Sequence, residues 1–170
     1  MLTRPTPDEY AEYYGIYINK VPEGEILELM ESELEATLNL LASVPAEREA
    51  FRYEPGKWSI REVVGHLVDT ERTFAYRAVW FARGAPLPLP GIEQDDWAAA
   101  SNAHDRPLAD LAAEFKAARH SHRTMFASFD EETVMRRGVA SDCTFSVRSI
   151  AWILVGHEIH HRRILAERYL

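Results

Sequence analysis

An all-α four-helix bundle is the fold this sequence predicts. Two observations carry it. Four segments place apolar residues at alternating steps of three and four, the period of a helix with one buried face. No segment sustains the two-residue alternation of a half-buried strand, so no sheet is expected. The 170 residues, 46% hydrophobic and 27% charged, suffice for one compact domain over 1–170 with a sizeable core.

The first helix is expected over residues 25–43. Leu27, Met30, Leu34, Leu38 and Leu41 form its apolar face, and Glu28, Glu31, Glu33 and Glu35 its solvated one. Pro45 ends it. The second begins at Ser59-Ile60-Arg61-Glu62, a capping box flanked by the staple residues Trp58 and Val63. It runs to about Arg83 and stops at Gly84. Residues 85–105 follow as a long connection, in which Pro86, Pro88, Pro90 and Gly91 forbid early helix. Asp95-Asp96-Trp97 starts a short helical piece there. Connections of this length in a small domain carry function or cross between distant helices.

The third helix is expected from Pro107 to about Phe129, with Leu108, Leu111, Phe115, Ala118, His122, Met125 and Phe129 as its stripe. Residues 138–144 read as a loop. The fourth starts near Ser146 and reaches the C-terminus. Val147, Ile150, Leu154, His157, His161, Ile164 and Arg168 make its inward seam. The tyrosines Tyr10, Tyr13, Tyr14 and Tyr17 are expected to pack on the bundle or on a partner chain.

The net charge of −8 argues against nucleic acid, which needs a basic face. No apolar run approaches the ~18 residues of a membrane span, and no export signal is read at the N-terminus. A single cysteine, Cys143, excludes an internal disulfide. The cytoplasm is the expected compartment. Cys143 is not expected to be a nucleophile, since the sequence offers it no basic partner.

The chemistry concentrates in Gly156-His157-Glu158-Ile159-His160-His161. His157 and His161 lie one turn apart on the inward seam, a spacing that lets two imidazoles grip one metal ion. His66, two turns into the second helix, is the candidate third ligand. Three protein ligands leave a position open for substrate or water, as in catalytic metal sites. His160 falls at the flank of the seam. His122 reads as a satisfied interior histidine, with a fourth-ligand or supporting role as the alternative. Asp69, one turn after His66, is a candidate to orient a ligand, and Glu158 is read as a solvent-facing charge. His157-Glu158-Ile159-His160-His161 also matches the H-E-x-x-H pattern of zinc peptidases, in which the glutamate activates water. Only nine residues follow, where such enzymes often take a third ligand, so the peptidase reading is the weaker one.

Several ordered pieces together resemble the DinB/YfiT-like superfamily, regarded as metalloenzymes. They are Pro55-Gly56-Lys57-Trp58-Ser59-Ile60-Arg61-Glu62, Gly65-His66-Leu67-Val68-Asp69-Thr70-Glu71-Arg72, Pro88-Leu89-Pro90-Gly91 and the closing Gly156–His161 run. The resemblance implies a four-helix bundle, a homodimer, and one divalent ion per chain, most often nickel or zinc, held by His66, His157 and His161. It also implies a small-molecule substrate. Some relatives are S-transferases or isomerases that use a low-molecular-weight thiol, which an open three-histidine site would activate. Arg72 and Arg77 are candidate cations for the carboxylates of such a thiol. The alternatives are a metal-dependent hydrolase using activated water and a metal-binding or stress-associated protein without turnover.

Overall fold

The computed structural model describes residues 2–170. In chain order its helices are α1 (Gly15–Ile18), α2 (Ile26–Ala42), α3 (Ile60–Ala82), α4 (Gln94–Ala100), α5 (Leu108–Ala127), α6 (Glu131–Met135) and α7 (Val147–Ile164). The last runs into a π turn at Leu165–Tyr169. Helices α2, α3, α5 and α7 form the bundle, as expected. Both α2 and α3 lie against α5 and α7, so the consecutive helices α2 and α3 face each other across a diagonal. That arrangement requires long connections, and the segments between the bundle helices supply them.

The helix ends follow from local chemistry. The Ser59 hydroxyl accepts from the Glu62 amide at 3.3 Å, and Glu62 Oε2 accepts from the Ser59 amide at 2.7 Å. Gly84, with φ +68°, closes α3 in the left-handed region that favours glycine. Ser146 caps α7 by accepting from the Ser149 amide at 3.0 Å.

Three expectations are corrected. Residues 137–146 form an antiparallel hairpin, β1 (Arg137–Ala140) with β2 (Cys143–Ser146), where a loop and no sheet were expected. Each strand is four residues long, too short for alternation to register. Its turn, Ser141-Asp142, adopts φ of 52° and 57°, a primed-turn geometry without the usual Asn-Gly signal. The buried stripe of α5 is rotated relative to the one read from sequence: Arg119 and Phe126 are buried in place of Ala118 and Met125. Finally, α7 is buried on every side from Ser149 to Ile159. It is the central helix of the molecule, and a helix apolar all round belongs in a core.

The N-terminal segment wraps this core. Tyr14 packs edge-on against Phe145 and Phe74, with ring centroids 5.0 and 5.9 Å apart. Arg148 on α7 pairs with the fully buried Glu9, and Arg137 with Asp8 at 2.6 Å. The tyrosine cluster thus lies on the bundle. No helix among the described residues is long and apolar enough to cross a membrane.

Candidate metal centre

His66 enters the centre of the bundle from the second turn of α3, and His157 and His161 from α7. In both helices the histidine that begins the site follows a glycine, and both glycines mark a close crossing. A Cβ on Gly65 would stand 2.7 Å from the Ala103 Cβ, and one on Gly156 only 2.2 Å from the Tyr17 carbonyl oxygen. Real Cβ atoms do not approach so closely. The missing side chains let the 103 region and α1 cross directly beside the histidines.

The three side chains converge through their Nε2 atoms. Those of His66 and His161 lie 3.0 and 3.1 Å from that of His157, and one ligand atom from each residue falls within 4.8 Å of the others. Trp58 covers the His66 ring at a centroid distance of 4.8 Å, and Tyr17 meets the His157 ring at 5.2 Å. Burial holds the His66 imidazole at a pKa of about 4. His157 and His161 are lowered well below the ordinary range, first by burial and then by the neighbouring imidazoles. All three rings are therefore neutral at pH 7 and offer lone pairs.

This donor set suits a divalent cation. An imidazole nitrogen carries one hydrogen or one lone pair, so His157 Nε2 cannot satisfy both close neighbours through hydrogen bonds alone. A metal bonded to nitrogen at ~2.0–2.1 Å keeps adjacent ligand atoms about 3 Å apart, close to the spacing found here.

The other residues singled out in the sequence fall in different places. His160 stays outside the trio, its ring edge-on to Tyr17 and His161. His122 is likewise outside it. Its Nδ1 lies 2.8 Å from Glu71 Oε2, the partner that makes it a satisfied interior histidine. Asp69 and Arg72 line a separate cavity with Arg106 and Glu114, and no hydrogen bond joins Asp69 to the trio. Burial raises the Asp69 carboxyl. Arg72 is half-exposed and pairs with Glu114 at 2.6 Å. Arg77, by contrast, is buried and lines the same cavity as His66 and His157.

Glu158 corrects the sequence reading most sharply. It is fully buried rather than solvent-facing, and its Oε2 accepts from Arg119 Nη1 at 2.6 Å. Arg119 also donates from Nε to Glu71 Oε1 at 2.7 Å. Burial opposes the charge of Arg119, but Glu158 and Glu71 outweigh it and raise its pKa. For Glu71, burial is outweighed by Arg119 and His122, which lower it. This buried cluster joins α3, α5 and α7 beside the histidines, and sequence reasoning missed it. The signal was present: residues 150–155 are six consecutive apolar residues, which leave α7 no polar face for Glu158 to occupy. Burial raises the Glu158 carboxyl against the pull of Arg119, and its Oε2 is turned onto Arg119 rather than hydrogen-bonded to the trio. Both count against Glu158 as the water-activating base of the peptidase pattern.

Two cavities reach the trio. One of about 280 Å³ is bordered by His66 and His157, together with Tyr14, Tyr17, Phe74 and Arg77. A second of about 650 Å³ is bordered by His161, with Trp58, Arg52, Lys57 and Tyr169. Gln94, at the start of α4, lines both.

With this geometry in view, the sequence profile of the DinB superfamily matches residues 29–165, a span that contains all three histidines. The chain belongs to the DinB superfamily. Among solved structures it is similar to YfiT from Bacillus subtilis, described as "a probable metal-dependent hydrolase with an unusual four-helix bundle topology". The TM-score is 0.70 at 15% identity, over 96% of this chain and 89% of YfiT. It is also similar to a mycothiol-dependent maleylpyruvate isomerase, with a TM-score of 0.68 at 14% identity, over 85% of this chain and 61% of that one. At these identities the likeness is one of fold. No curated protein matches the sequence. The diagonal placement of α2 and α3 departs from a simple up-and-down bundle.

Proposed function

We propose that His66, His157 and His161 hold one divalent ion, nickel or zinc, and that the protein is a metal-dependent enzyme of the thiol S-transferase type. The observation that carries this is the convergence of three neutral Nε2 atoms, two of them 3.0 and 3.1 Å from the third, in a buried site with no protein carboxylate among its donors. A divalent ion held there would lower the pKa of a thiol presented to its open position.

The rest is done by the protein's own side chains. Burial keeps the histidines neutral, so they do not compete for the proton that the thiol gives up. Trp58 flanks the His66 ring and Tyr17 the His157 ring, which holds their orientation. The two cavities support a reaction between two organic partners. The cavity at His161 has Lys57 on its wall, a cation that suits a thiol bearing a carboxylate, beside Arg52, which pairs with Glu62 at 2.7 Å. The cavity at His66 and His157 has an aromatic wall suited to an electrophile. A hydrolase would need only one such chamber beside its water. The thiol-using and hydrolase-like structural neighbours are compatible with either chemistry, and the paired cavities favour transfer.

Monochlorobimane tests the reading. In the reaction a sulfur–carbon bond forms, a carbon–chlorine bond breaks, chloride leaves and the thiol proton passes to solvent. With metal-loaded protein and cysteine or another low-molecular-weight thiol, the fluorescent thioether should appear above the uncatalysed rate. His66→Ala should return that rate to background. Thiol-independent cleavage of an activated ester, without thioether formation, would contradict transfer and favour the hydrolase.

A further inference from the structure

We infer that Arg77 is the anchor for a carboxylate on the substrate that enters the smaller cavity. The substrate class is a small carboxylic acid with a flat, apolar body. The inference rests on the reading of that cavity as the electrophile's chamber, and it does not depend on which metal is bound.

Two arginines are buried among the described residues, Arg77 at 2% exposure and Arg119 at 0%. Arg119 has two carboxylates. Arg77 has none within ion-pairing distance among the described residues, although burying a charge without a counter-charge is costly. Its surroundings are neutral. Nη2 donates to Ser141 Oγ at 2.8 Å, the Phe74 ring lies 4.7 Å from the guanidinium carbon, and the Tyr14 hydroxyl is adjacent. Burial lowers the Arg77 pKa from its ordinary value, the direction expected of a cation without a compensating anion. The β1–β2 hairpin supplies Ser141, whose hydrogen bond fixes the guanidinium at the cavity wall. Glu93 lines the same cavity but is exposed at its edge.

Helix α3 sets the geometry. His66, Thr70, Phe74 and Arg77 all border the cavity, at offsets of four, eight and eleven residues that share one helix face. His66 and Arg77 are therefore about 16 Å apart along the helix axis at the backbone. The arginine side chain points back toward the N-terminus of α3 and shortens that span. A carboxylate held at Arg77 directs the rest of a small molecule along the aromatic wall toward the histidines. A planar guanidinium with several donors suits a two-oxygen anion, and a volume of about 280 Å³ suits a compact ligand.

The test is calorimetric binding of trans-cinnamate and of cinnamamide, its neutral isostere, to protein stripped of metal by a chelator. The acid should bind at least about tenfold more tightly than the amide, in keeping with a hydrogen bond to a charged group. Arg77→Gln should abolish that preference and Arg77→Lys should keep part of it. Equal binding of acid and amide, no saturable binding of the acid, or a preference that survives in Arg77→Gln would each overturn the assignment. Should Arg77→Gln not fold, the acid–amide comparison in the wild type and in Arg77→Lys decides. A preference present only after metal loading also overturns it, and leaves the metal centre standing. A preference in protein that never binds metal upholds Arg77 while the proposed function falls.

Discussion

At Gly156 a single missing methyl group determines how the site is covered. The Tyr17 carbonyl crosses α7 where a side chain would begin, 2.2 Å from the position of an added Cβ. The obstacle is backbone on one side and a core helix on the other, so neither yields cheaply. Gly156→Ala should destabilise the fold by about 1–3 kcal/mol, as overpacking does. It should also displace α1, and with it the Tyr17 ring from His157. Urea unfolding measures the first effect, and tyrosine hydrogen exchange or NMR shifts the second. A variant as stable as the wild type with Tyr17 in place would refute the close-packing account. Glycine before a candidate ligand histidine was visible in the sequence at both Gly65 and Gly156. What it faced was not, because Ala103 and Tyr17 come from segments distant in the chain.

Among the elements, the N-terminal segment has the clearest dependence on pH. Burial alone would raise the Glu9 carboxyl, but hydrogen bonds from Arg148, Ser146 and Thr6 outweigh it and hold the pKa at about 2, against an ordinary 4.5. A depressed carboxylate pKa adds stability above the ordinary value and loses it as the pH falls through the folded one. Docking of residues 2–18 should therefore weaken progressively from pH 4.5 toward 2, and Glu9→Gln should show weakened docking already at pH 7. Limited proteolysis of the segment in Glu9→Gln, and hydrogen exchange of the wild type across that pH range, check this. Docking that is unchanged in both would remove Glu9 from the account.

The limits of the sequence lie at the same scale. The bundle helices were legible because periodicity and caps are local: the α3 capping box and the Gly84 stop appear where the residues place them. The hairpin was not, since its four-residue strands are too short for alternation, its Ser141-Asp142 turn lacks the usual Asn-Gly signal, and the Leu89 backbone that joins it at Ala140 is a tertiary fact. Periodicity found the α7 seam but hid that the helix has no outer face. That is why Glu158 was assigned to solvent. Likewise the α5 stripe was read through Ala118 rather than Arg119. A buried arginine is invisible to a hydrophobic pattern until its two carboxylates, Glu71 and Glu158, are seen around it.

Across the whole molecule, the diagonal arrangement explains why the trio can exist. His66 and His157 are 91 residues apart in sequence, and only the packing of α3 against α7 brings their Nε2 atoms together. A metal bound there ties the two helices and stabilises the folded state by mass action. The trio was chosen from sequence by the spacing of His157 and His161 with His66 as third ligand, the resemblance fell on the same residues, and the fold brings those three nitrogens together. The most direct measurement is bound metal, by elemental analysis of untagged protein after incubation with zinc or nickel and dialysis, comparing wild type with folded His66→Ala. The account predicts about one divalent ion per chain in the wild type and near-complete loss in the variant. No metal in the wild type, or equal metal in both, would contradict a centre that spans α3 and α7.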